Sequence, residues 1–351
     1  MTQEFAVLDE GSVLGSYRLV REIARGGMGT VYEAQHTLLP RSAAVKVMHA
    51  DLLRLPGMAT RMAQEAAILE HIRHPGIVRV FDCALLPDHR PWIAMELVDG
   101  HTLSARIAEA EALSGDEVAQ LLANVADVLA SVHVHGIVHR DLKPDNLLLM
   151  PHDRTYPVRV IDWGIAQLGP KGKLTLDGVT PGTPIYMSPE QATGRSIAAP
   201  CDIYSLGVIA YEALCGEPPF GGKTLAEVVC THLTCEAPPL TERCAAPVEL
   251  CALVHHMLVK DPIQRPTAAE VQRIACAIAH AQAPRYDDAE MEMELEIVID
   301  NIDLDHTPAL AGEAGEYEYE HDLDWTFTPS RSIIAPRRTN DAVAGELCDA
   351  R

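Results

Sequence analysis

The chain has 351 residues, 48% of them apolar, and carries 28 Lys and Arg against 50 Asp and Glu, a formal net charge of −22. That size suits one larger two-lobed unit with an extension, or two ordinary domains, while the negative charge argues against nucleic acid or a membrane surface as partner. Nine cysteines without regular spacing suit reduced thiols, no apolar run reaches the roughly 18 residues of a membrane span, and residues 1–14 are acidic where a signal peptide is basic, so a cytoplasmic location is expected.

After the N-terminal extension of residues 1–14, short β-like runs predict strands at Tyr17 to Ile23, Thr30 to Gln35, Ala43 to Met48, Val78 to Leu85 and Trp92 to Leu97, a small antiparallel sheet. Between the first two lies a turn with Ala24, Gly26, Gly27 and Gly29. Glycines there let backbone amides approach a triphosphate, with Val31 placed to cover a base, although ordinary turns also collect glycine. Lys46 stands in an otherwise apolar strand, which costs free energy unless it is paired or snorkels to an edge. Glu65, on a helix predicted over Met58 to Ile72, is its natural partner.

Beyond Gly100 the pattern turns helical. Ser114 and Glu117 form a capping box for a helix whose buried stripe runs through Val118, Leu121, Leu122, Val125, Val128, Leu129 and Val132 and ends near Gly136. It delivers the chain into His139, Arg140, Asp141, Leu142, Lys143, Pro144, Asp145 and Asn146, which set a base, a cation and a metal ligand in one short turn. Asp141 can accept the proton of an attacking hydroxyl, Lys143 can neutralise charge on a transferring phosphate, and Asn146 can hold magnesium through its amide oxygen. Asp162 follows an apolar strand and is a second oxygen ligand for the same metal. Further helices are predicted at Ile203 to Leu214, Leu225 to Leu233, Val248 to Val259 and Ala268 to His280. Cys230, Cys235 and Cys244 around His232 admit a zinc reading, but their spacing is wider than paired zinc ligands normally keep. Residues 285–351 hold 18 acidic side chains against 5 Arg, so residues 283–351 are expected to form a separate, disordered acidic tail. Within it Glu290 to Asp300 alternates acidic and apolar residues, a pattern that could engage a tail-binding partner.

These motifs, in this order over Tyr17 to Ala281, resemble the eukaryotic-like (Hanks-type) serine/threonine protein kinases, and the stretches Ala24 to Tyr32 and Tyr186 to Gln191 look most like the bacterial members. The resemblance implies an α+β, bilobal protein-kinase-like fold over residues 15–282, with a small antiparallel β-sheet N-lobe carrying one helix and a larger, mainly α-helical C-lobe. It implies ATP with magnesium or manganese as cofactor and proteins carrying Ser or Thr as substrates. Lys46 and Glu65 resemble the pair that orients the α and β phosphates, and Glu96 and Val98 match the hinge whose backbone holds adenine. Thr183 resembles the residue that selects hydroxyl substrates, and Arg140 the receptor for a phosphorylated activation segment, with Thr175 and Thr180 as candidate acceptors. Asp202 and Arg265, the latter as partner of Glu190, take scaffold roles. Two positions depart from the pattern: Ala24 stands at the first glycine and Trp163 where the family normally has Phe. The alternative to a transferase is a pseudokinase scaffold, which the presence of Lys46, Asp141, Asn146 and Asp162 disfavours. The sequence carries no signal for an oligomeric state.

Overall fold

The computed structural model describes residues 8–27, 29–50, 66–67, 69–150, 153, 156–163 and 183–282. A six-stranded antiparallel sheet comes first, built from β1 (Val13–Leu14), β2 (Tyr17–Arg25), β3 (Gly29–His36), β4 (Ser42–Met48), β5 (Val80–Leu85) and β6 (Pro91–Glu96) in the order β1-β2-β3-β4-β6-β5. Its inner face forms a compact core from Tyr17, Leu19, Tyr32, Val45, Val47, Trp92 and neighbours. Leu14 belongs to that core at 2% exposure and pairs with Tyr17, so the sheet begins just ahead of residue 15. Residues 66–67 and 69–71 are helical, the described end of the helix predicted here.

The rest is helical, with helices Leu103–Ala110, Gly115–His133, Pro189–Ala192, Pro200–Cys215, Leu225–Thr234, Val248–Met257 and Ala268–Gln282. A second, three-stranded antiparallel sheet of β7 (His101–Thr102), β8 (Leu147–Leu149) and β9 (Val158–Val160) lies at their edge. The Gly115–His133 helix starts at the expected Ser114–Glu117 capping box and buries the whole predicted stripe, each such side chain contributing about 1.5–3 kcal/mol.

The Pro200–Cys215 helix is buried on every side, from Cys201 through Leu214 with one exception at Glu212, the mark of a central scaffold helix. It stops at Gly216, φ +76°, where a Cβ would lie 2.2 Å from the Glu111 carbonyl, so only glycine fits. Beside it Arg265 makes a two-pronged ion pair with Glu190 at 2.7 and 2.9 Å and also donates to the carbonyls of Val259, Pro200 and Lys260. The scaffold role expected for Arg265 and Glu190 thus has its geometry.

His232 is fully buried, and its Nδ1 faces the Tyr204 hydroxyl at 3.0 Å. That hydroxyl accepts from Lys260 Nζ at 3.1 Å and therefore donates to His232. Cys230 and Cys235 are exposed instead, and no cluster of three or more potential ligands exists among the described residues, so the zinc reading around His232 fails.

Burial, helped by the Lys260 cation, pushes the His232 imidazole down to about 4 from its usual 6.5. The unfolded chain therefore takes up a proton that the folded one refuses: stability from this group is complete above about pH 6.5 and is lost as pH falls toward 4, by up to about 3 kcal/mol. Urea unfolding from pH 7.5 to 4.5 should show that acid slope in the parent and a flatter one in His232→Gln.

Candidate active site

The Gly115–His133 helix and β8 bracket the loop of residues 134–146, whose last turn, Pro144–Asn146, is 3-10. The loop's backbone is held from below by Asp202, in the first turn of the scaffold helix. The Asp202 carboxylate accepts from the backbone N–H of His139 and of Arg140 and from His133 Nε2, each at 2.8 Å. Burial alone would raise this carboxyl, but the His133 and backbone hydrogen bonds win and hold it below its usual range.

Arg140 sits at φ +68°, a left-handed conformation that costs an ordinary residue roughly 1–2 kcal/mol. Its N–H is on Asp202, and its carbonyl accepts from Gln191 Nε2 at 2.7 Å. Gln191 is itself fixed by a capping box with Ser188. Hydrogen bonds to a buried charge contribute about 1.5–3 kcal/mol each and outweigh the strain.

His139 is an internal strut. Its Nε2 donates to the Ile161 carbonyl at 2.9 Å, its Nδ1 accepts from the Asp141 N–H at 3.3 Å, and its ring packs 4.9 Å from Trp163. Trp163 donates its indole N–H to the Val160 carbonyl at 3.2 Å. The larger aromatic at this position thus finds the acceptor its N–H requires within its own turn.

Antiparallel pairing of Leu147 with Val160 places Asn146 opposite Ile161, and the Ile161 N–H donates to the Asn146 carbonyl at 3.0 Å. That register brings Asn146 and Asp162 to the same end of the β8–β9 hairpin. Asn146 is buried, and its amide nitrogen donates to the Asp141 carbonyl at 2.7 Å, which leaves Oδ1 as the ligand atom. An amide oxygen and a carboxylate are hard donors that suit magnesium or manganese, so the residues present fit such an ion. Asp162 has φ +55°.

Lys46 Nζ lies 2.9 Å from Asp162 Oδ1, across 116 residues of sequence. Glu65, the partner expected for Lys46, lies outside the described residues. Lys143 Nζ is 3.2 Å from Asp141 Oδ2. Two lysines and two carboxylates, all at least half-shielded from water, therefore face the site as two ion pairs.

The glycine turn closes between β2 and β3, where Ala24 pairs with Val31 as the last rung but one. Gly26 donates its N–H to the Gly29 carbonyl at 2.9 Å, and His49 Nε2 meets the Gly26 carbonyl at 2.9 Å. The glycines differ in need. A Cβ on Gly29 would lie 2.3 Å from the Val47 carbonyl, whereas one on Gly26 meets nothing, and Gly27 is exposed. Ala24 is exposed too, so its methyl costs no close contact. At the hinge, Glu96 is the last residue of β6 and receives Arg79, while Val98 makes no backbone hydrogen bond among the described residues. Thr183 opens a 3-10 turn through Tyr186; Thr175 and Thr180 lie outside the described residues.

Sequence reasoning missed three supports: His133, Gln191, and the Tyr186 hydroxyl, which donates to Glu212 Oε2 at 2.7 Å. His133 left a signal, a titratable side chain in the last turn of an apolar-faced helix, and Gln191 another, its capping-box spacing from Ser188.

A sheet lobe, a helical lobe and paired lysines and carboxylates at a strand-to-loop junction define the protein kinase class of architecture. Residues 17–275 match the family model described as "Protein kinase domain", and the chain belongs to that family. It is 40% identical over 276 residues to the serine/threonine-protein kinase Pkn1 of Myxococcus xanthus, an alignment covering 77% of this chain and 39% of that protein. It is 37% identical to PknB of Mycolicibacterium smegmatis, covering 76% of this chain and 44% of that one. With PknA of Mycobacterium tuberculosis the identity is 36%, covering 72% and 58%. The chain thus spans well under two thirds of these relatives. A crystal structure of a Mycobacterium tuberculosis PknI kinase-domain double mutant shares the fold, with TM-score 0.63, 24% identity and coverage of 78% of this chain and 99% of that one.

Replacing Asp202 by Ala strands two loop N–H groups and His133 around a void. An Asp202→Ala variant should lose about 3–5 kcal/mol of stability in urea unfolding, far more than a surface Asp145→Ala control.

Proposed function

We propose that this chain is an ATP-dependent serine/threonine protein kinase that transfers the γ-phosphate to Ser or Thr hydroxyls of proteins. The observation that carries the proposal is the meeting of the Asp141–Lys143 pair with the Lys46–Asp162 pair beside Asn146, in a chain that belongs to the protein kinase domain family.

In this reading Asp141 orients the substrate hydroxyl and takes its proton as the oxygen attacks the γ-phosphorus and ADP leaves. Lys143 follows the charge that moves onto the transferred group. Lys46 leaves Asp162 for the α and β phosphates, and the 24–29 turn covers the triphosphate with Val31 over the base. Adenine is held by the backbone at Glu96 and Val98. Asn146 and Asp162 hold magnesium or manganese, which when bound neutralises charge on the phosphates. Positioning and preorganised electrostatics carry most of the acceleration, and the base supplies a part.

Regulation belongs to the same proposal: Arg140 receives a phosphate on Thr175 or Thr180, and Thr183 selects the hydroxyl substrate. We further infer that residues 15–282 form the catalytic unit, that residues 283–351 form an acidic tail for a partner, and that the protein acts in the cytoplasm. The free thiols of all eight described cysteines support that location, and no helix among the described residues is long and apolar enough to cross a membrane.

Incubation of the full chain with ATP and magnesium, followed by phosphosite mapping, tests the reading. Phosphate should appear on Thr175 or Thr180 and fall roughly 10²–10⁴-fold in Asp141→Asn. Equal incorporation in that variant, or none with either metal, overturns the proposal. Chelating the metal should abolish incorporation, and Asp162→Asn should do so at any magnesium concentration.

A further inference from the structure

The turn that follows the helical residues 69–71 is fastened to the helical lobe through one carboxylate. His74, Pro75, Gly76 and Ile77 form a β-turn, with the Ile77 N–H on the His74 carbonyl at 3.0 Å and proline at its second position. His74 Nδ1 accepts from the Gly76 N–H at 3.0 Å. An amide N–H only donates, so the ring proton sits on Nε2, which donates to Asp127 Oδ2 at 3.1 Å. Asp127, in the body of the Gly115–His133 helix, also receives Gln272 Nε2 at 2.8 Å from the Ala268–Gln282 helix. The Tyr156 hydroxyl is shared between Asp127 Oδ2 at 3.1 Å and the Asn124 carbonyl at 2.6 Å.

Packing leaves this turn no slack. A Cβ on Gly76 would collide with Val128 Cγ2 and Tyr156 Cε1, and the Tyr156 ring stands edge-on to His74 with centroids 5.1 Å apart. On its other side the turn meets β9. The Gly76 carbonyl accepts from the Val160 N–H at 2.8 Å, and Ile77 pairs with Val160 in parallel. Val160 also pairs with Leu147 of β8, and its carbonyl accepts from the Trp163 indole. Two residues further on stands Asp162 in its left-handed conformation. Because β9 is only three residues long, the docked turn completes the pairing of the residue that leads into Asp162.

We propose that His74 is a positioning residue for the metal ligand Asp162: with Asp127 it locks the 74–77 turn on which Val160 is paired, and so sets how tightly the site holds a divalent ion beside nucleotide. The inference rests on the reading of Asp162 as a ligand for magnesium or manganese. The imidazole is a strut with two ends, one on the amide of the turn and one on the helix. Removing it frees both the Gly76 N–H and one side of Asp127. The carboxylate keeps Gln272 and Tyr156, so the two helices stay joined while the turn loosens from them. That loosening reaches Asp162 through Val160, whereas the backbone at Glu96 and Val98 and the 24–29 turn belong to other strands.

Manganese uptake by the full chain, counted by electron paramagnetic resonance with a saturating non-hydrolysable ATP analogue, tests this without phosphoryl transfer. His74→Ala should bind manganese roughly 10–100-fold more weakly than the parent, while its affinity for the analogue in EDTA stays at the parent value. His74→Gln, whose amide carries one donor and one acceptor as the imidazole does here, should recover most of that loss. Asp127→Asn keeps the shape of the carboxylate but not both acceptor oxygens, so it should weaken manganese in the same direction and serves where His74→Ala does not fold. Parent-like manganese affinity in the folded variants overturns the inference, as does an equal fall in metal-free nucleotide affinity, which marks a general loss of structure. A parent chain that takes up no manganese beside the analogue overturns instead the kinase reading on which the inference stands.

Discussion

A single buried carboxylate holds the site together. Asp202 is completely shielded from water and meets three N–H donors besides a longer contact from the Cys201 thiol, so its desolvation is offset only while the three N–H donors stay in place. Two of those donors are successive backbone amides of the catalytic loop, and the third closes the helix that feeds it. The geometry of Asp141 is therefore set by a residue 61 positions later in the chain. Because the Pro200–Cys215 helix is packed on all sides, Asp202 cannot drift, and the strain at Arg140 is maintained rather than relaxed.

From that anchor the constraint passes by backbone hydrogen bonds to the second ligand loop. His139 bonds to the Ile161 carbonyl, Ile161 bonds to Asn146, and the Asn146 amide bonds to the Asp141 carbonyl. Asp141 and Asn146 thus belong to one closed ring of contacts, which the Asp141 N–H closes on His139, and Asp162 follows directly on its member Ile161. Trp163 packs on His139 and satisfies its indole at Val160, so the substitution for phenylalanine adds a hydrogen bond to this ring instead of disturbing it.

How much of this was legible in the sequence follows from the range of each interaction. Local signals read well: the Ser114 capping box, the apolar stripe after it and the run from His139 to Asn146 each sit within a few residues of their effect. The strand before Asp162 was read from its apolar run, but the helix Leu103–Ala110 and the strands β7 and β8 leave no readable signal, because an eight-residue helix and two- or three-residue strands carry too little periodicity. The bracing of the 139–140 backbone by Asp202 followed from the family resemblance, whereas its bond to His133 was missed because a hydrogen bond across 69 residues leaves no spacing to detect. The glycine turn was read as one motif, although steric need falls on Gly29 and not on Gly26, a difference set by the approach of β4. Lys46 is found on Asp162, while Glu65, the partner expected for it, lies outside the described residues; the sequence showed that the cation needs a partner, and the fold supplies one at Asp162.

Those pairings bear on how the site would work under the proposed function. Among the described residues Lys46 and Lys143 each face one carboxylate, so each of these four charges has an opposite neighbour. A triphosphate entering an uncompensated acidic site would be repelled, and one entering a site of free lysines would be held too firmly to leave as ADP. Paired lysines avoid both extremes, because every attraction gained by a phosphate is partly offset by an attraction given up to Asp162 or Asp141. The exchange also links binding to chemistry. Under the proposed function, Lys46 and Lys143 turning to phosphate would release Asp162 to a metal ion and Asp141 to a substrate hydroxyl, so that the carboxylates would become competent only once the group to be transferred is in place.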